Sequence, residues 1–374
     1  MAATAISPLA VDEERPESLP IPERSRGFEH AAAAWEEAHA ACPALQREGD
    51  FLFAGRRVRI RVVGPALYDA LTRPFWHLRT TSPGGEPLSL AIDVWDERES
   101  RVAYPSTGEL SDPETAWPSP PGVLASSAAS RYIRYDCPAW VTWLDRGARR
   151  IIGWRSSADR VSMHERTRPL PFLLPVWYTD HRIETVHAGL VARDGRGILF
   201  CGSGGAGKST SSLACLAAGF DFLSDDHVGL EERADGTLVG HSMFASTRVE
   251  PDHLLRFVPL APHAVRSRDP VDTKSLLFPA EIFPERVIPF APIRAIALPT
   301  ITGNPSPTVR RATRAEALRA MAPSSLIQMP FGNTKRRFAV LARLAEQVPA
   351  FWLELGPDLD EIPRQAESLL RSIG

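Results

Sequence analysis

The sequence predicts an α/β protein, with a central mixed sheet flanked by helices over residues 176–374 and a smaller α+β domain over residues 29–175. In the C-terminal part, short apolar strands alternate with helical segments, an order typical of a sheet covered by helices. In the N-terminal part, strand-like alternation of apolar and charged residues is interspersed with helical segments. Residues 1–28 are rich in Pro, Glu and Ser and are predicted to form a flexible tail.

The amino-acid composition excludes several classes of protein. The 374 residues carry a net charge of −2 at pH 7, with 44% apolar and 24% charged residues. This balance excludes wholesale disorder and gives no electrostatic basis for binding nucleic acid or an anionic membrane. The longest apolar stretch, PLPFLLPVW, is too short to span a bilayer. The N-terminus lacks a secretory pattern and the four cysteines form no CxxC pair, so we expect a cytoplasmic protein with reduced thiols.

Local patterns predict the elements of the first domain. The Ala-rich segment FEHAAAAWEEAHAAC, from Phe28, predicts a helix, and alternation from Val58 to Val62 predicts a half-buried strand. A short helix over PALYDALTRPFWHL is followed by strands over LSLAIDVWDE, VTWLD and RIIGWRSS. The segment from Tyr104 to Ser130 is predicted to be loop. This domain contains no group of residues that indicates a particular chemistry.

The second domain begins with more regular signals. GRGILFC predicts a strand that leads into the loop GSGGAGKST, and SSLACLAAGF continues as a helix. FDFLSDD predicts a second strand ending in two carboxylates, and VGLEERADGTLVG predicts a hairpin that turns at Asp235-Gly236. RAIALPT predicts a further strand, while RAEALRAMA and QAESLLRSI predict amphipathic helices.

The loop after the first of these strands matches GxxxxGK[ST], in the strand–loop–helix context that phosphate binding requires. Glycines let consecutive N–H groups turn toward one anion, and the start of the helix adds its positive end. Lys208 is predicted to contact the β- and γ-phosphates, Ser209 to bind Mg²⁺ and Thr210 to reach the α-phosphate. The predicted nucleotide-binding residues are Gly202, Ser203, Gly204, Gly205, Ala206, Gly207, Lys208, Ser209 and Thr210.

The same loop fits a dinucleotide-binding pattern. Gly202, Gly204 and Gly207 also spell GxGxxG, and Asp225 lies near the distance at which an acidic residue would contact a ribose. The Lys-Ser-Thr that follows favours a nucleoside triphosphate with a metal ion, because a dinucleotide site does not need these three residues.

Asp225 and Asp226 end the strand FDFLSDD. One acidic residue at this position typically holds Mg²⁺ in a triphosphate site, and two indicate divided roles, one as general base and one as metal partner. Since neighbouring side chains on a strand face opposite ways, both reach one site only if the strand ends there. The alternative is a solvated turn with capping aspartates.

These motifs resemble the catalytic domain of the HPr kinase/phosphorylase superfamily, a group of P-loop kinases. The resemblance covers about forty residues, HAGLVARDGRGILFCGSGGAGKSTSSLACLAAGFDFLSDD. His187 lies 15 positions before Gly202, and Asp225 and Asp226 lie 17 and 18 positions after Lys208, as in that family. The resemblance implies a P-loop kinase domain in which Asp225 deprotonates a serine, Asp226 and Ser209 support the metal, and His187 lies beside the phosphates.

The sequence therefore predicts a Mg-ATP-dependent kinase whose acceptor is a hydroxyl, most simply a serine of a peptide or small protein. No acidic-x-Arg-Gly stretch follows the two aspartates, and the N-terminal part does not resemble the family's regulatory domain. The chain therefore looks more like the peptide-modifying relatives than like true HPr kinases. A small-molecule kinase and a nucleotide-sensing protein without transfer chemistry stay open as alternatives, and so does homo-oligomerisation.

Two further features are candidates for substrate contacts. Lys274 is one of only three lysines and is a candidate for neutralising phosphoryl charge or docking an acidic substrate. The stretch 309–338 holds seven basic residues against Glu316, and either binds an anionic ligand or forms a solvated helix face.

Overall fold

A computed structural model describes residues 21–82, 84–105, 123–124, 131–137, 139–266, 273–305, 307–327 and 334–373. Within these residues two large mixed sheets lie one after the other along the chain. Helices pack on both, which confirms the predicted α/β class with a central mixed sheet flanked by helices and a preceding α+β region. Of the described helices, none combines the length and apolar character needed to cross a membrane.

The first sheet has eight described strands in the order β3-β1-β2-β4-β8-β7-β6-β5. The pairs β2–β4 and β4–β8 are parallel and the other pairs are antiparallel. The strands are β1 (Gln46–Phe53), β2 (Arg56–Val63), β3 (Arg79–Thr80), β4 (Leu88–Asp96), β5 (Val123–Leu124), β6 (Tyr132–Cys137), β7 (Trp140–Asp145) and β8 (Arg150–Arg155). The helices of this part are α1 (Ile21–Ala41), α2 (Pro65–Thr72), α3 (Glu97–Ser100), α4 (Met163–Thr167) and α5 (Leu173–Asp180).

Helix α1 begins at Ile21, inside the segment predicted to be tail. A proline in the first turn of a helix removes no hydrogen bond, so Pro22 does not oppose the earlier start. Residues 1–20 of the predicted tail lie outside the described residues. Of the predicted loop from Tyr104 to Ser130, residues 106–122 and 125–130 also lie outside them, and β5 occupies two positions between these gaps.

Alternation along the strands gives the first sheet two buried faces. Val63 and Trp95 face α1, whereas Val62 and Val94 face the core that also contains α2 and α5. That second core extends to Phe244 from the C-terminal half. Helix α5 spans the predicted boundary at residue 175 and is buried in the same core, so the two regions are joined through packed side chains.

The second sheet contains nine described strands in the order β12-β10-β11-β17-β14-β13-β9, with β19 beside β17 and β18 beside β19. Only β11–β17 and β17–β19 are parallel among the described pairs. The strands are β9 (Glu184–His187), β10 (Gly189–Arg193), β11 (Arg196–Phe200), β12 (Asp221–Ser224), β13 (His227–Glu232), β14 (Leu238–Ser242), β17 (Phe290–Ile301), β18 (Val309–Ala312) and β19 (Ala350–Leu355), and a separate pair is formed by β15 (Thr247–Val249) and β16 (Ser275–Leu277).

Helices cover both faces of this sheet. Ile198 and Phe200 of β11 pack toward α6 and α11, and Leu199 packs on the opposite face toward α9 and α10. The predicted hairpin at Asp235-Gly236 joins β13 to β14. The helices are α6 (Lys208–Ala217), α7 (Pro251–Leu254), α8 (Pro279–Ile282), α9 (Arg314–Ile327), α10 (Thr334–Gln347) and α11 (Glu361–Ser372).

A buried ion pair connects the first sheet to the segment that leads to the second. Arg155 at the end of β8 donates from Nε to Glu165 Oε1 of α4 at 3.1 Å and also from Nη2 to the same oxygen. Both residues are buried, at 1% and 3% exposure. Removing one partner leaves the other charge buried and uncompensated. The position of α4 therefore depends on this pair.

We predict that Arg155→Ala lowers the free energy of unfolding by about 3–5 kcal/mol. The matched control is Arg371→Ala, whose exposed pair with Glu367 at i,i+4 contributes at most about 0.5 kcal/mol. Denaturant titration of both variants measures the difference. Equal unfolding midpoints would contradict the structural role given to Arg155.

Candidate active site

The glycine-rich loop joins the end of β11 to the start of α6. Gly207 caps the helix in the left-handed region, with φ +104°. A Cβ at this position would lie 2.3 Å from Leu355 Cδ1, so strain and lack of space both require glycine. The conformation of the loop therefore depends on its contact with β19.

The Lys208 side chain folds back onto the glycine-rich loop that precedes it. Its ammonium donates to the carbonyl oxygens of Gly202 at 3.0 Å and of Ser203 at 3.1 Å. The side chain is buried; burial lowers the pKa of Lys208, while the carboxylates of Asp226 and Asp225 favour its charged form. The positive charge thus lies inside the loop, where bound phosphates would need it.

The two aspartates occupy a break between strands. β12 ends at Ser224 and β13 begins at His227. The strand therefore ends at the aspartates, which is the condition for both side chains to reach one site. The Ser224 hydroxyl donates to the His227 carbonyl at 2.6 Å, and the Ala188 N–H donates to the Asp226 carbonyl at 3.1 Å. These bonds hold the turn so that both carboxylates reach one cavity.

Asp225 is buried, and its negative charge is balanced less strongly by nearby groups than that of Asp226. The Thr247 hydroxyl donates to its Oδ2, and its Oδ1 is buried without a well-formed hydrogen bond from any described residue. Burial raises the pKa of Asp225 to about 6, although Thr247 and Ser209 act in the opposite direction. A carboxylate of this kind is ionised at neutral pH and still basic enough to accept a proton.

The negative charge of Asp226 is strongly balanced by neighbouring side chains. Arg168 Nη1 lies 2.5 Å from its Oδ2, and the Nδ1 atoms of His187 and His227 each lie 3.3 Å from a carboxylate oxygen. Burial opposes ionisation, but Arg168 and His227 outweigh it and hold the pKa of Asp226 well below its usual range. Burial lowers the pKa of His187 to about 4, so this imidazole is neutral at pH 7.

Two cavities border the loop. A cavity of about 840 Å³ lies on one side, between the loop, the end of β17 and α9, and has Trp352 in its wall. A smaller cavity of about 230 Å³ lies on the side of the aspartates. The side chains that line the smaller cavity come from six separated segments and include Arg168, His187, Ser209, Asp225, Asp226, His227, Thr247, Arg248 and Lys274.

The structure brings most of the predicted site residues together. Ser209, His187, Asp225 and Asp226 line the smaller cavity, and the residues from Gly202 to Ala206 border the larger one. Asp226, the predicted metal partner of Ser209, pairs with Arg168. The metal role of Asp226 stays a prediction.

The sequence did not indicate Arg168, Thr247 or Arg248 as site residues, because each comes from a segment without a motif. His227 had a signal, since it directly follows the aspartates. Lys274 lines the smaller cavity, as its predicted role in contacting phosphate or substrate requires. Its Nζ lies 3.5 Å from Glu250 Oε1.

The basic stretch 309–338 does not form one anion-binding surface within its described part. Arg310 and Arg311 stack on the rings of Trp352 and Phe351. Arg337 is fully buried and lies 3.7 Å from Glu184. Arg310, Arg311, Arg314 and Arg319 are exposed, and Arg319 also lines the larger cavity.

The donor atoms in the smaller cavity fit a hard divalent cation. The Ser209 hydroxyl and the buried Oδ1 of Asp225 are oxygen donors of the type that Mg²⁺ prefers. His187, Asp226 and His227 form a second group whose ligand atoms lie within 4.8 Å of one another. Arg168 already supplies the counter-charge in that second group, so the Ser209–Asp225 side fits Mg²⁺ better.

Comparisons with known proteins agree with the motif resemblance. The HPr kinase/phosphorylases of Thermoanaerobacter sp. (strain X514) and Thermoanaerobacter pseudethanolicus are each 29% identical over 128 residues, which is 33% of this chain. The chain matches 42% of the length of these relatives. They support the resemblance to the HPr kinase/phosphorylase superfamily.

The structure of the Hpr(Ser) kinase/phosphatase from Coxiella burnetii aligns with a TM-score of 0.27 and 15% identity, covering 50% of this chain and 95% of that one. No family model matches the sequence.

We predict that Gly207→Ala weakens ATP binding at least about tenfold, because a left-handed alanine is strained and its Cβ would displace the loop from Leu355. Gly195→Ala is the matched control. Gly195 also has a positive φ, of +71°, but lies in the β10–β11 turn with nothing within 4 Å of an added Cβ. Calorimetric titration with ATP measures both, and equal dissociation constants would contradict the assignment of the loop.

Proposed function

We propose that this protein is a Mg-ATP-dependent kinase that transfers the γ-phosphoryl group to a hydroxyl, with a serine of a peptide or small protein as acceptor. The observation that carries the proposal is the shared cavity. Ser209 of the phosphate loop and the buried Asp225 line the same 230 Å³ space, and the charge of Lys208 acts on both aspartates.

The loop and the aspartates divide the chemistry. Loop N–H groups and the Lys208 ammonium stabilise negative charge on the transferring phosphoryl group. Asp225 orients the acceptor hydroxyl and takes its proton as the oxygen bonds to the γ-phosphorus and the bond to the bridging oxygen of ADP breaks. Ser209 with the aspartates would hold Mg²⁺, which neutralises charge on the β- and γ-phosphates. Neutral His187 lies beside Asp226, where it orients that carboxylate.

The larger cavity suits the remainder of the nucleotide. Its volume of about 840 Å³ lies within the range of ligand pockets. It borders the loop residues from Gly202 to Ala206 on the side away from Asp225. We therefore propose that ATP enters from this side and presents its γ-phosphate to the acceptor cavity.

The curated relatives support kinase chemistry through their names. Their protein substrate is not carried over to this chain, since the matched region spans about two fifths of their length and no acidic-x-Arg-Gly stretch follows Asp226. The acceptor proposed here, a serine of a peptide or small protein, follows instead from the resemblance to peptide-modifying members of the superfamily.

A second candidate function is a small-molecule kinase with the same site. The acceptor cavity of about 230 Å³ favours it, because that space holds a small compound or the end of a peptide but not a folded partner's surface. The two candidates differ only in the acceptor, so one labelling experiment separates them.

We predict that the protein, incubated with γ-labelled ATP and Mg²⁺ in an extract of its own organism, labels a serine in a peptide or protein. Asp225→Asn should abolish transfer and leave ATP binding nearly intact, because the amide cannot accept the proton. Asp235→Asn, in the exposed β13–β14 turn, is the matched control and should transfer normally.

The other outcomes are equally informative. Label only in a small molecule would establish the second candidate. ATP binding without transfer would indicate a nucleotide sensor. Equal transfer by wild type and Asp225→Asn would remove Asp225 as the base.

A further inference from the structure

We infer that the base of ATP packs against Ile301 and Trp352 in the larger cavity, and that Arg319 binds the phosphate next to the ribose. The inference rests on the proposed function and assigns the residues that hold the nucleoside end of the nucleotide.

Ile301 lies where a sheet of this kind is expected to bind a ligand. Strands β11, β17 and β19 run parallel and side by side, and the phosphate loop leaves the carboxyl end of β11. Ile301 is the last residue of β17, at the same edge of the sheet. Ligands of open α/β sheets bind in the crevice outside such strand ends. The base of a nucleotide held by the loop would therefore meet the end of β17.

The side chain of Ile301 is exposed although it lies against the phosphate loop. Ile301 is 61% exposed, and its Cγ1 would lie 3.7 Å from a Cβ added at Gly207. Together with Leu298 and Pro323 it gives the larger cavity an apolar wall. A flat ring that packs on this wall would remove apolar surface from water, which is favourable.

Trp352 forms a rigid part of the same cavity. Its Nε1 donates to Glu316 Oε1 of α9 at 3.0 Å, and the guanidinium carbon of Arg310 lies 5.1 Å from its ring centroid. Glu316 is itself held, because its Oε2 accepts from the Thr313 N–H at 2.8 Å. These contacts fix the indole before a ligand arrives, so that little side-chain entropy would be lost on binding.

Arg319 supplies positive charge to this cavity. It is exposed and lies on α9, about one turn after Glu316. Among the described residues that line the cavity, Arg319 is the cation and Glu316 is the acid, and the carboxylate of Glu316 is engaged by Trp352 and Thr313. A phosphate that enters the cavity would therefore be attracted by the Arg319 guanidinium, whose planar donors suit phosphate oxygens.

Helix α9 extends from the larger cavity toward the aspartates. Near its start Glu316 contacts Trp352, and nine positions later the Ser325 hydroxyl accepts from the His187 N–H at 3.2 Å. The two contacts are about 14 Å apart along the helix. Arg319 lies between them. A nucleotide with its γ-phosphate toward the aspartates and its base toward Trp352 would thus place its α-phosphate beside Arg319.

Calorimetric titration with ATP and with tripolyphosphate, each with Mg²⁺, separates base contacts from phosphate contacts. Tripolyphosphate keeps the three phosphates and lacks the base and ribose. We expect Ile301→Ser to raise the Kd for ATP about tenfold and to leave the Kd for tripolyphosphate unchanged, because serine removes the apolar surface under the base. Arg319→Gln should raise both constants about tenfold, the scale of one charge-assisted hydrogen bond.

Each variant has a matched control. Val258→Ser removes an apolar side chain of a residue that is 76% exposed and does not line the cavity. Arg314→Gln removes an exposed arginine at the start of the same helix, which lines a different cavity. Neither control should change either Kd. Thermal unfolding without ligand verifies that all four variants are folded.

Tryptophan fluorescence tests the contact with Trp352. ATP should change the emission of the wild-type protein more than tripolyphosphate does, because only ATP places a base beside the indole. Trp352→Phe should lose most of this difference. A difference of equal size in the variant would remove Trp352 from the base site.

The results that overturn the inference differ from those that overturn the proposed function. An unchanged Kd for ATP in Ile301→Ser, or an equal loss for ATP and tripolyphosphate, would remove Ile301 as a base contact. No loss in Arg319→Gln, or a loss for ATP alone, would remove its phosphate role. No ATP binding by the wild-type protein would overturn the kinase proposal, and the inference with it.

Discussion

The site depends on a difference between two adjacent carboxylates: nearby cations balance the charge of the half-buried Asp226 more strongly than that of the buried Asp225. Arg168 neutralises Asp226, and that carboxylate stays ionised, whereas no cation among the described residues forms a salt bridge with Asp225, and burial raises the pKa of Asp225 to about 6. Neighbouring residues of one turn thereby acquire different chemical properties. A proton acceptor beside a phosphate loop needs this asymmetry, because a carboxylate as strongly stabilised in its charged form as Asp226 is too weak a base to take a proton from a hydroxyl.

Arg168 links this asymmetry to the N-terminal region. It directly follows α4, and α4 is attached to the first sheet through Glu165 and Arg155. The core around α5 also joins Phe244 to the first sheet, and the chain from Phe244 continues into β15 with Thr247 and Arg248. The N-terminal region therefore contributes to the site indirectly, because its contacts position the residues that surround the aspartates.

Features set by local sequence were predictable, and features set by distant packing were not. The phosphate loop, the break after Ser224 and the hairpin at Asp235-Gly236 each follow from residue types within a few positions. Arg168, Thr247 and Arg248 reach the site from segments up to eighty residues apart, and their side chains look like ordinary polar residues until the fold places them.

The central claim is that the loop presents the γ-phosphate of ATP to Asp225. A crystal structure with Mg²⁺ and a non-hydrolysable ATP analogue tests it most directly. The account predicts that Lys208 Nζ leaves the carbonyls of Gly202 and Ser203 for the β- and γ-phosphates, and that the γ-phosphorus faces the cavity of Asp225. Phosphates bound elsewhere, or a γ-phosphate directed away from Asp225 with Lys208 still on its carbonyls, would contradict it.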